Sequence, residues 1–328
     1  MSTSLSLVVE MANAEIAGLE TLLDATRSLS GQLANFAAAF PDAPKPQLIF
    51  VVPGDDGDAA SLRDAVCRAA PHLANEADLD FRCLPDGRYY ELKNCGVAAA
   101  RGDIVAFLDS DTAPEENWLP KLLAPFAEPD LIATNGHTSL LFDDFPSKVY
   151  ALYWVFPLSG KDADFAVKRS LNANNCAFRR SWIAANPFPY NPGFKVSCSL
   201  LYDTMRKQHV MMKRVDAHVR HLPPRGWRFF IWRALVSGRD ADRKYKAMKS
   251  ERRTYRLANA VGRLLTAQWR AVRRLRLIRE VGIAPWQAPA ALAMGTAFNG
   301  LAFVGQLSLA SGLMPDTVER VPHYVEHS

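Results

Sequence analysis

The segment ELKNCGVAAARGDIVAFLDSDTAPEENWL, residues 91–119, decides the expected fold. Apolar residues at helical spacing over 90–100 predict a helix, which a Gly-Asp pair ends. Ile104–Leu108 (IVAFL) is fully apolar, as expected for a strand buried on both faces, and is followed by Asp-Ser-Asp at 109–111. A second helix is predicted over Glu116–Phe126. A helix, a buried strand and another helix in succession are typical of an α/β protein with a parallel sheet.

The same rhythm occupies the chain before this segment. Apolar strands are predicted at 5–10 (LSLVVE) and 48–52 (LIFVV), with Phe81–Leu84 as a further candidate. Helical patterns separate them at 14–33 and 59–70. We therefore predict an α/β fold with a Rossmann-like, mostly parallel sheet flanked by helices. Ligands of such sheets bind at the carboxyl ends of the strands.

Composition and cysteine content exclude several classes of protein. Of the 328 residues, 49% are hydrophobic and 22% are charged, which excludes disordered and low-complexity chains. The 5 cysteines form no CxxC pair, so neither a disulfide framework nor a zinc ribbon is expected. We therefore expect the protein to work in a reducing compartment. The first residues lack a basic start before their apolar run, so no signal peptide is expected.

Basic residues are concentrated in one region of the chain. Residues 203–280 contain 22 Lys and Arg but 6 Asp and Glu, a local net charge of +16, and the remainder carries −11. Such asymmetry indicates a polyanionic partner, which is membrane lipid, nucleic acid or a pyrophosphate-bearing substrate. The sequence contains no helix-turn-helix, zinc or RNA-binding motif, so a nucleic acid partner is not expected.

The C-terminal region has two features that suggest a membrane. Apolar residues alternate with arginines at helical spacing over 256–275, which predicts a basic amphipathic helix attracted to anionic lipid. A charge-free run of 35 residues, Val281–Pro315, follows and is long enough to cross a bilayer. It also contains polar residues, so packing on the domain or lying in the interface are alternatives. We predict a catalytic domain over 1–225 and a helical, membrane-associated extension over 226–328. A basic solvated helix over an ordinary core is the alternative for the extension.

Asp109 and Asp111 are candidates for a metal site. Two carboxylates separated by one residue at the mouth of a parallel sheet can bind Mg²⁺ or Mn²⁺, with water and phosphate oxygens as the other ligands. Considered alone, the pair is a weak signal and is more typical of a solvated turn that caps the next helix.

Several segments together resemble the family 2 glycosyltransferases, which have the GT-A fold. The resemblance lies mainly in 91–119 and extends to LSLVVEMANAE (5–15), LIFVVPGDDGD (48–58), NANNCAFRR (172–180) and RVDAHVRHLPP (214–224). It implies transfer of a sugar from a nucleotide diphosphate sugar, with UDP-sugars favoured, usually with inversion and a divalent metal. We expect a lipid-linked sugar or a growing surface glycan as the acceptor, at the cytoplasmic face of the plasma membrane.

Carried over by position, the resemblance assigns roles around the Asp-Ser-Asp motif. Asp111 would be the principal metal ligand, and Asp109 would contact the ribose or the metal-bound phosphate. Ser110 belongs to the same nucleotide-binding segment. His221, at the end of a strand, would approach the metal or the diphosphate, with a surface position as the alternative. Glu10 departs from the family, which usually has proline at this place.

The resemblance also implies a set of nucleotide-binding residues. One pair would border the nucleobase, one residue of a second pair would hydrogen-bond it, and a third pair would lie beneath the diphosphate. In chain order these are Asn13 and Glu15, Asp55 and Asp56, and Lys93 and Asn94. The alternatives are ordinary turn residues for the second pair and a solvated helix charge for the lysine.

The general base is the least defined part of the predicted site. An acidic pair normally supplies it, but KVSCSLLYDTMRKQ (195–208) has Ser-Cys at that place. Asp203 is a candidate base, although it could equally pair with Lys207 at i,i+4. Asp143 and Asp144 are further candidates. A chain that lacks the base would be a non-catalytic glycosyltransferase-like scaffold at the membrane, which is the alternative function.

Overall fold

The computed structural model describes residues 4–14, 19–153, 171–222 and 226–322. The chain divides into two compact units, which we describe separately. The first unit comprises Met1–Thr138, Leu171–Tyr190 and Leu201–Leu222, and the second comprises Ser139–Ser170, Asn191–Leu200 and Pro223–Ser328. The second unit thus holds two earlier segments besides the residues beyond 225. The division into domains after residue 225 stays a prediction.

In the described part of the chain, eight strands form one sheet, which organises the first unit. The strands are β1 (Leu5–Glu10), β2 (Gln47–Val52), β3 (Asp78–Cys83), β4 (Ile104–Asp109), β5 (Thr112–Pro114), β6 (Ala133–Leu140), β7 (Asn175–Arg179) and β8 (Met212–His221). Their order is β3-β2-β1-β4-β7-β6-β8-β5. The pairs β3–β2, β2–β1 and β1–β4 are parallel, whereas β4–β7, β7–β6 and β5–β8 are antiparallel. The predicted α/β class is confirmed, with a mixed sheet whose parallel half contains the predicted strands.

Eleven α-helices lie within the described ranges. They are α1 (Leu19–Ala39), α2 (Asp56–Ala69), α3 (Leu73–Glu76), α4 (Tyr89–Ala99), α5 (Trp118–Leu123), α6 (Phe145–Tyr153), α7 (Arg180–Ala185), α8 (Ser197–Lys207), α9 (Trp227–Met248), α10 (Arg253–Arg274) and α11 (Ala288–Ala310). Helix α2 begins earlier than the apolar pattern suggests, because the Asp55 side chain caps it by accepting from two backbone amides of its first turn.

The core of the first unit positions α4 against the sheet. Strands β1 and β4 are buried along their whole length. On one face their side chains pack with α1, α2 and α5 around the buried Trp118. On the other face α4 approaches β1 closely at Gly96, where a Cβ would lie 2.9 Å from Val8 Cγ2. This approach places the first turns of α4 over the carboxyl ends of the two strands.

The second unit contains α6 and the three C-terminal helices. Its buried apolar cluster joins side chains of α6 and α9 with Leu277, Val281, Ile283 and Ala291. The segment Pro285–Ala310, which includes α11, is the one described helix whose length and mean hydropathy of 1.3 would allow it to cross a membrane. In its most apolar stretch, 22% of the residues are buried. A core helix of a soluble protein can meet the same two criteria.

Candidate active site

The candidate site lies where β1 and β4 end side by side. Glu10 and Asp109 are partners in the register of these parallel strands, and both side chains are buried. Tyr89 and Lys93 extend from α4 toward them, because residues four apart lie on one helix face. Four buried polar side chains therefore meet at the carboxyl edge of the sheet.

Asp109 is held by three donors. Lys93 Nζ lies 2.7 Å from Asp109 Oδ1, with the lysine side chain fully buried and the aspartate 2% exposed. The Tyr89 hydroxyl oxygen lies 2.8 Å from each carboxylate oxygen. The Asn13 amide donates to Oδ2 at 3.2 Å. Such a buried, charge-assisted arrangement fixes the carboxylate in one orientation.

Electrostatics keep the donors of this cluster protonated. Burial works to lower the pKa of Lys93, but the charges of Asp109 and Glu10 outweigh it and raise that pKa above the ordinary value. Burial, followed by the charge of Asp109, raises the pKa of Tyr89 well above its usual range. At neutral pH, Lys93 is therefore a cation and the Tyr89 hydroxyl keeps its proton.

Asp111 and His221 form the accessible side of the same cluster. The Asn13 amide also donates to Asp111 Oδ1 at 3.2 Å, so it bridges the two aspartates. His221 Nε2 lies 3.1 Å from Asp111 Oδ2, while Nδ1 lies 2.7 Å from the Leu222 carbonyl oxygen. The Leu222 amide donates to the Asp111 carbonyl at 3.0 Å, which holds the end of β8 beside the motif.

The donor set of Asp111 and His221 fits a divalent cation. His221 Nδ1 contacts a backbone carbonyl, so the ring turns Nε2 toward the Asp111 carboxylate, and a cation there would meet one nitrogen and one oxygen ligand. The two side chains are 11% and 17% exposed. Among the described residues, no group of three or more His, Cys, Asp or Glu is arranged to hold a metal. A Mg²⁺ or Mn²⁺ ion would therefore take most of its ligands from substrate and water.

Ser110 lies between the two aspartates and is fully buried. Its hydroxyl oxygen has no hydrogen-bond partner within the described ranges. Thr112 stabilises the same turn by donating to the Asp109 carbonyl at 2.7 Å.

Three other predicted nucleotide-binding residues have structural partners. Asp55 Oδ1 accepts from the backbone amides of Gly57 and Asp58 at the start of α2. Asp56 accepts from the Cys83 thiol, and both aspartates are exposed after β2, beside β1 in the sheet. The Asn94 amide bonds the Phe188 backbone at 2.9 and 3.0 Å. Their contacts to a nucleotide stay predictions. Glu15 lies outside the described residues.

The candidate bases also have partners. Asp203 Oδ2 lies 2.7 Å from Lys207 Nζ, which is the i,i+4 pair that the sequence offered as the alternative. Asp143 and Asp144 are exposed in the second unit, where they hydrogen-bond with Ser147 at the start of α6. The identity of the base stays a prediction.

Sequence reasoning missed the role of Tyr89. Its spacing of four residues from Lys93 is a signal that could have identified it. The segment NANNCAFRR contains another residue with a structural task. Asn175 accepts from Trp118 Nε1 at 2.9 Å and donates to the carbonyls of His137 and Ala217 at 2.9 and 3.0 Å. This buried amide links β6, β7 and β8 beneath the site.

The chain matches the model of a known protein family. The family model described as glycosyl transferase family 2 matches residues 20–184, half of the chain. A search of the curated proteins finds no match.

Solved structures align with the chain at low sequence identity. A mannosyltransferase from Pyrobaculum calidifontis, in complex with GDP-Man and Mn²⁺, is 16% identical with a TM-score of 0.53, covering 95% of this chain and 87% of its own. Glucosyl-3-phosphoglycerate synthase from Mycobacterium tuberculosis, in complex with Mn²⁺, UDP and phosphoglyceric acid, is 18% identical with a TM-score of 0.49, covering 76% and 79%. Mannosyl-3-phosphoglycerate synthase from Rubrobacter xylanophilus is 14% identical with a TM-score of 0.48, covering 75% of each chain.

Proposed function

The chain belongs to glycosyl transferase family 2, and we propose that it transfers a sugar from a nucleotide diphosphate sugar to a lipid-linked sugar or a growing surface glycan. The donor is a UDP-sugar by preference, and Mg²⁺ or Mn²⁺ assists. The observation that supports this proposal is the buried cluster of Asp109, Lys93 and Tyr89, joined through Asn13 to the slightly less buried Asp111. The cluster offers a preorganised carboxylate beside a candidate metal ligand, as departure of a diphosphate would require.

Each residue of the cluster has a defined task in the proposed reaction. Lys93 and Tyr89 hold the Asp109 carboxylate at one orientation, beside the proposed position of the ribose or a phosphate. Asn13 keeps Asp109 and Asp111 at a constant separation. Asp111 and His221 would hold the divalent ion, which supplies Lewis-acid stabilisation of the departing diphosphate. Preorganisation of this kind is effective because no side chain has to reorient as charge develops.

The acceptor reacts by direct displacement at the anomeric carbon, with inversion. Its hydroxyl loses a proton to a carboxylate as the new glycosidic bond forms. Asp203 is our choice for this base, because it belongs to the same compact unit as the cluster. We place the reaction at the cytoplasmic face of the plasma membrane, where a lipid-linked acceptor is available.

A second candidate function is a non-catalytic scaffold that retains the nucleotide site. The ion pair of Asp203 with Lys207 favours it, since a base engaged in this way is less available to the acceptor. Nucleotide binding without release of nucleoside diphosphate, in the presence of donor and membrane lipid extract, would assign the scaffold function.

The decisive test is a thermal-unfolding screen with UDP-, GDP- and dTDP-sugars, each with and without Mn²⁺. We expect one donor class to raise Tm only when the ion is present. A ligand at about 100 times its Kd stabilises the folded state by about 2.7 kcal/mol, which is readily measured. Asp111→Asn should remove the effect. The matched control, Asp64→Asn, alters an exposed carboxylate on α2 and should keep it. Equal stabilisation of wild type and Asp111→Asn, with or without EDTA, would contradict the assignment.

A further inference from the structure

Helix α10 exposes a stripe of large apolar side chains. Val261, Leu265, Trp269 and Val272 are 48%, 66%, 56% and 57% exposed. They recur every three or four residues, so they form one continuous stripe along the helix. Exposed apolar side chains that are contiguous mark a surface that is covered in the functional state.

The same helix carries a high density of positive charge. Its 22 residues, Arg253–Arg274, include 6 Arg and no Lys, Asp or Glu. Arg273 is exposed beside the apolar stripe, and Arg263 and Arg270 are exposed farther round the helix. The Arg273 guanidinium lies 4.4 Å from the centre of the Trp269 ring. An apolar stripe with an arginine at its border, on a helix of high positive charge, complements an anionic lipid surface, which offers hydrocarbon and phosphate in adjacent layers.

The opposite side of α10 is attached to its own unit. Ala260 and Ala271 are buried, and Arg256 forms an ion pair with the fully buried Asp242 of α9. Arg256 also donates to the Leu309 carbonyl of α11 at 3.2 Å. These contacts set the rotation of α10 about its axis, so the apolar stripe faces outward.

Helix α11 is the other candidate for a membrane contact, but its packing argues against a span. A Cβ on Gly238 of α9 would overlap the Ala302 carbonyl, and one on Gly305 would overlap the Leu235 carbonyl. The two helices thus pack backbone to backbone. The same stretch of α9 carries Arg239, Asp240 and Arg243, which engage in ion pairs and backbone hydrogen bonds. Hydrocarbon around α11 would surround these charges, at a high energetic cost.

We infer that α10 lies in the plane of an anionic leaflet. Its stripe of Val261, Leu265, Trp269 and Val272 inserts between the headgroups, Arg273 contacts lipid phosphates beside it, and α11 packs against α9 without spanning the bilayer. This inference specifies how the protein would bind the membrane at which the proposed function places it. It rests on the proposed function only in assuming that the acceptor is present at that membrane.

The test is sedimentation of the full-length protein with vesicles of 70% phosphatidylcholine and 30% phosphatidylglycerol, compared with pure phosphatidylcholine. We expect binding to the anionic vesicles that high salt weakens but does not abolish, because the apolar contribution is not screened. Leu265→Glu combined with Trp269→Glu should weaken binding at least about tenfold, since it places charge in the apolar layer. The matched control, Val304→Glu, alters a 53% exposed side chain of α11 and should leave binding unchanged.

Three results would overturn the inference. The first is that the wild type does not sediment with anionic vesicles. The second is that the α10 double variant binds them as tightly as the wild type. The third is that the α11 control, Val304→Glu, loses as much binding as the double variant. Retention on immobilised DNA without vesicle binding would assign the arginines to nucleic acid instead. Unfolding curves of each variant verify that the fold is retained. The nucleotide screen uses no lipid, so failure of the membrane contact and failure of the proposed sugar transfer give separate readings.

Discussion

Replacement of Lys93 by methionine tests the buried charge cluster directly. The variant keeps the length of the side chain but leaves the carboxylates of Asp109 and Glu10 buried beside an apolar group. Lys93 is fully buried and lies 2.7 Å from Asp109. Removal of one partner from such a pair typically costs about 3–5 kcal/mol. Tyr89 and Asn13 still donate to Asp109, so we expect the free energy of unfolding to fall by about 3 kcal/mol, measured by urea unfolding at pH 7.

The pH dependence gives this prediction its second signature. The folded-state pKa of Lys93 is raised, so its stabilising contribution is present through the neutral range and is lost only as the pH rises through that raised value. In Lys93→Met, proton uptake by a buried carboxylate relieves the uncompensated charge. The difference in unfolding free energy between wild type and variant should therefore shrink as the pH falls from about 7 to 5.

A surface ion pair supplies the control for this experiment. Lys213 pairs with Glu128 and is 44% exposed, so Lys213→Met should cost less than about 1 kcal/mol at any pH. Lys93→Met combined with Asp109→Asn should recover part of the lost stability, because the buried charge is removed. A loss for Lys93→Met within about 1 kcal/mol, or one independent of pH, would refute the account of the cluster.

Two further predictions concern packing and catalysis. Gly136→Ala should lower the unfolding free energy by about 1–3 kcal/mol, because the new Cβ would overlap the Ala217 carbonyl and the Asn175 amide. Gly262→Ala, in open space on α10, should instead raise the unfolding free energy by about 1 kcal/mol. Thermal unfolding of both variants tests this contrast. Asp203→Asn should lower turnover by about 10²–10⁴ with unchanged nucleotide affinity, as expected for loss of a general base. Lys207→Met, which frees Asp203, is its control, and near-wild-type turnover of Asp203→Asn would return attention to Asp143 and Asp144.

The parallel half of the sheet could be predicted because burial on both faces leaves a clear pattern. Strands β1, β2 and β4 are apolar runs, and the structure places them within one residue of the predicted positions. Strand β6 (ATNGHTSL) could not be found in this way. Its buried polar residues have distant partners, since Thr134 donates to the Leu122 carbonyl and Asn135 accepts from the Asn172 amide. Such contacts are absent from any local pattern.

In the candidate site, the residues of short motifs could be predicted, but the contacts between distant segments could not. Asp109 and Asp111 follow an apolar strand, and the resemblance named Lys93 and His221. The bridge from Asn13 to both aspartates joins residues 96 and 98 positions apart. It depends on the register of β1 against β4, which no short motif contains. Glu10 was identified only as a departure from the family, although the structure places its buried charge close enough to raise the pKa of Lys93.

The charge balance of the site explains why metal and nucleotide should bind together. Glu10, Asp109 and Asp111 contribute three carboxylates near a single buried lysine. A diphosphate brought beside Asp111 would add further negative charge. At an effective dielectric constant of about 20, two like unit charges 4 Å apart repel by about 4 kcal/mol. Lys93 is already committed to Asp109, so it cannot offset this repulsion alone. A divalent cation held by Asp111 would turn this repulsion into attraction for both ligands. Asp111→Asn should therefore abolish the metal dependence of nucleotide binding, while the buried Lys93–Asp109 pair continues to stabilise the fold.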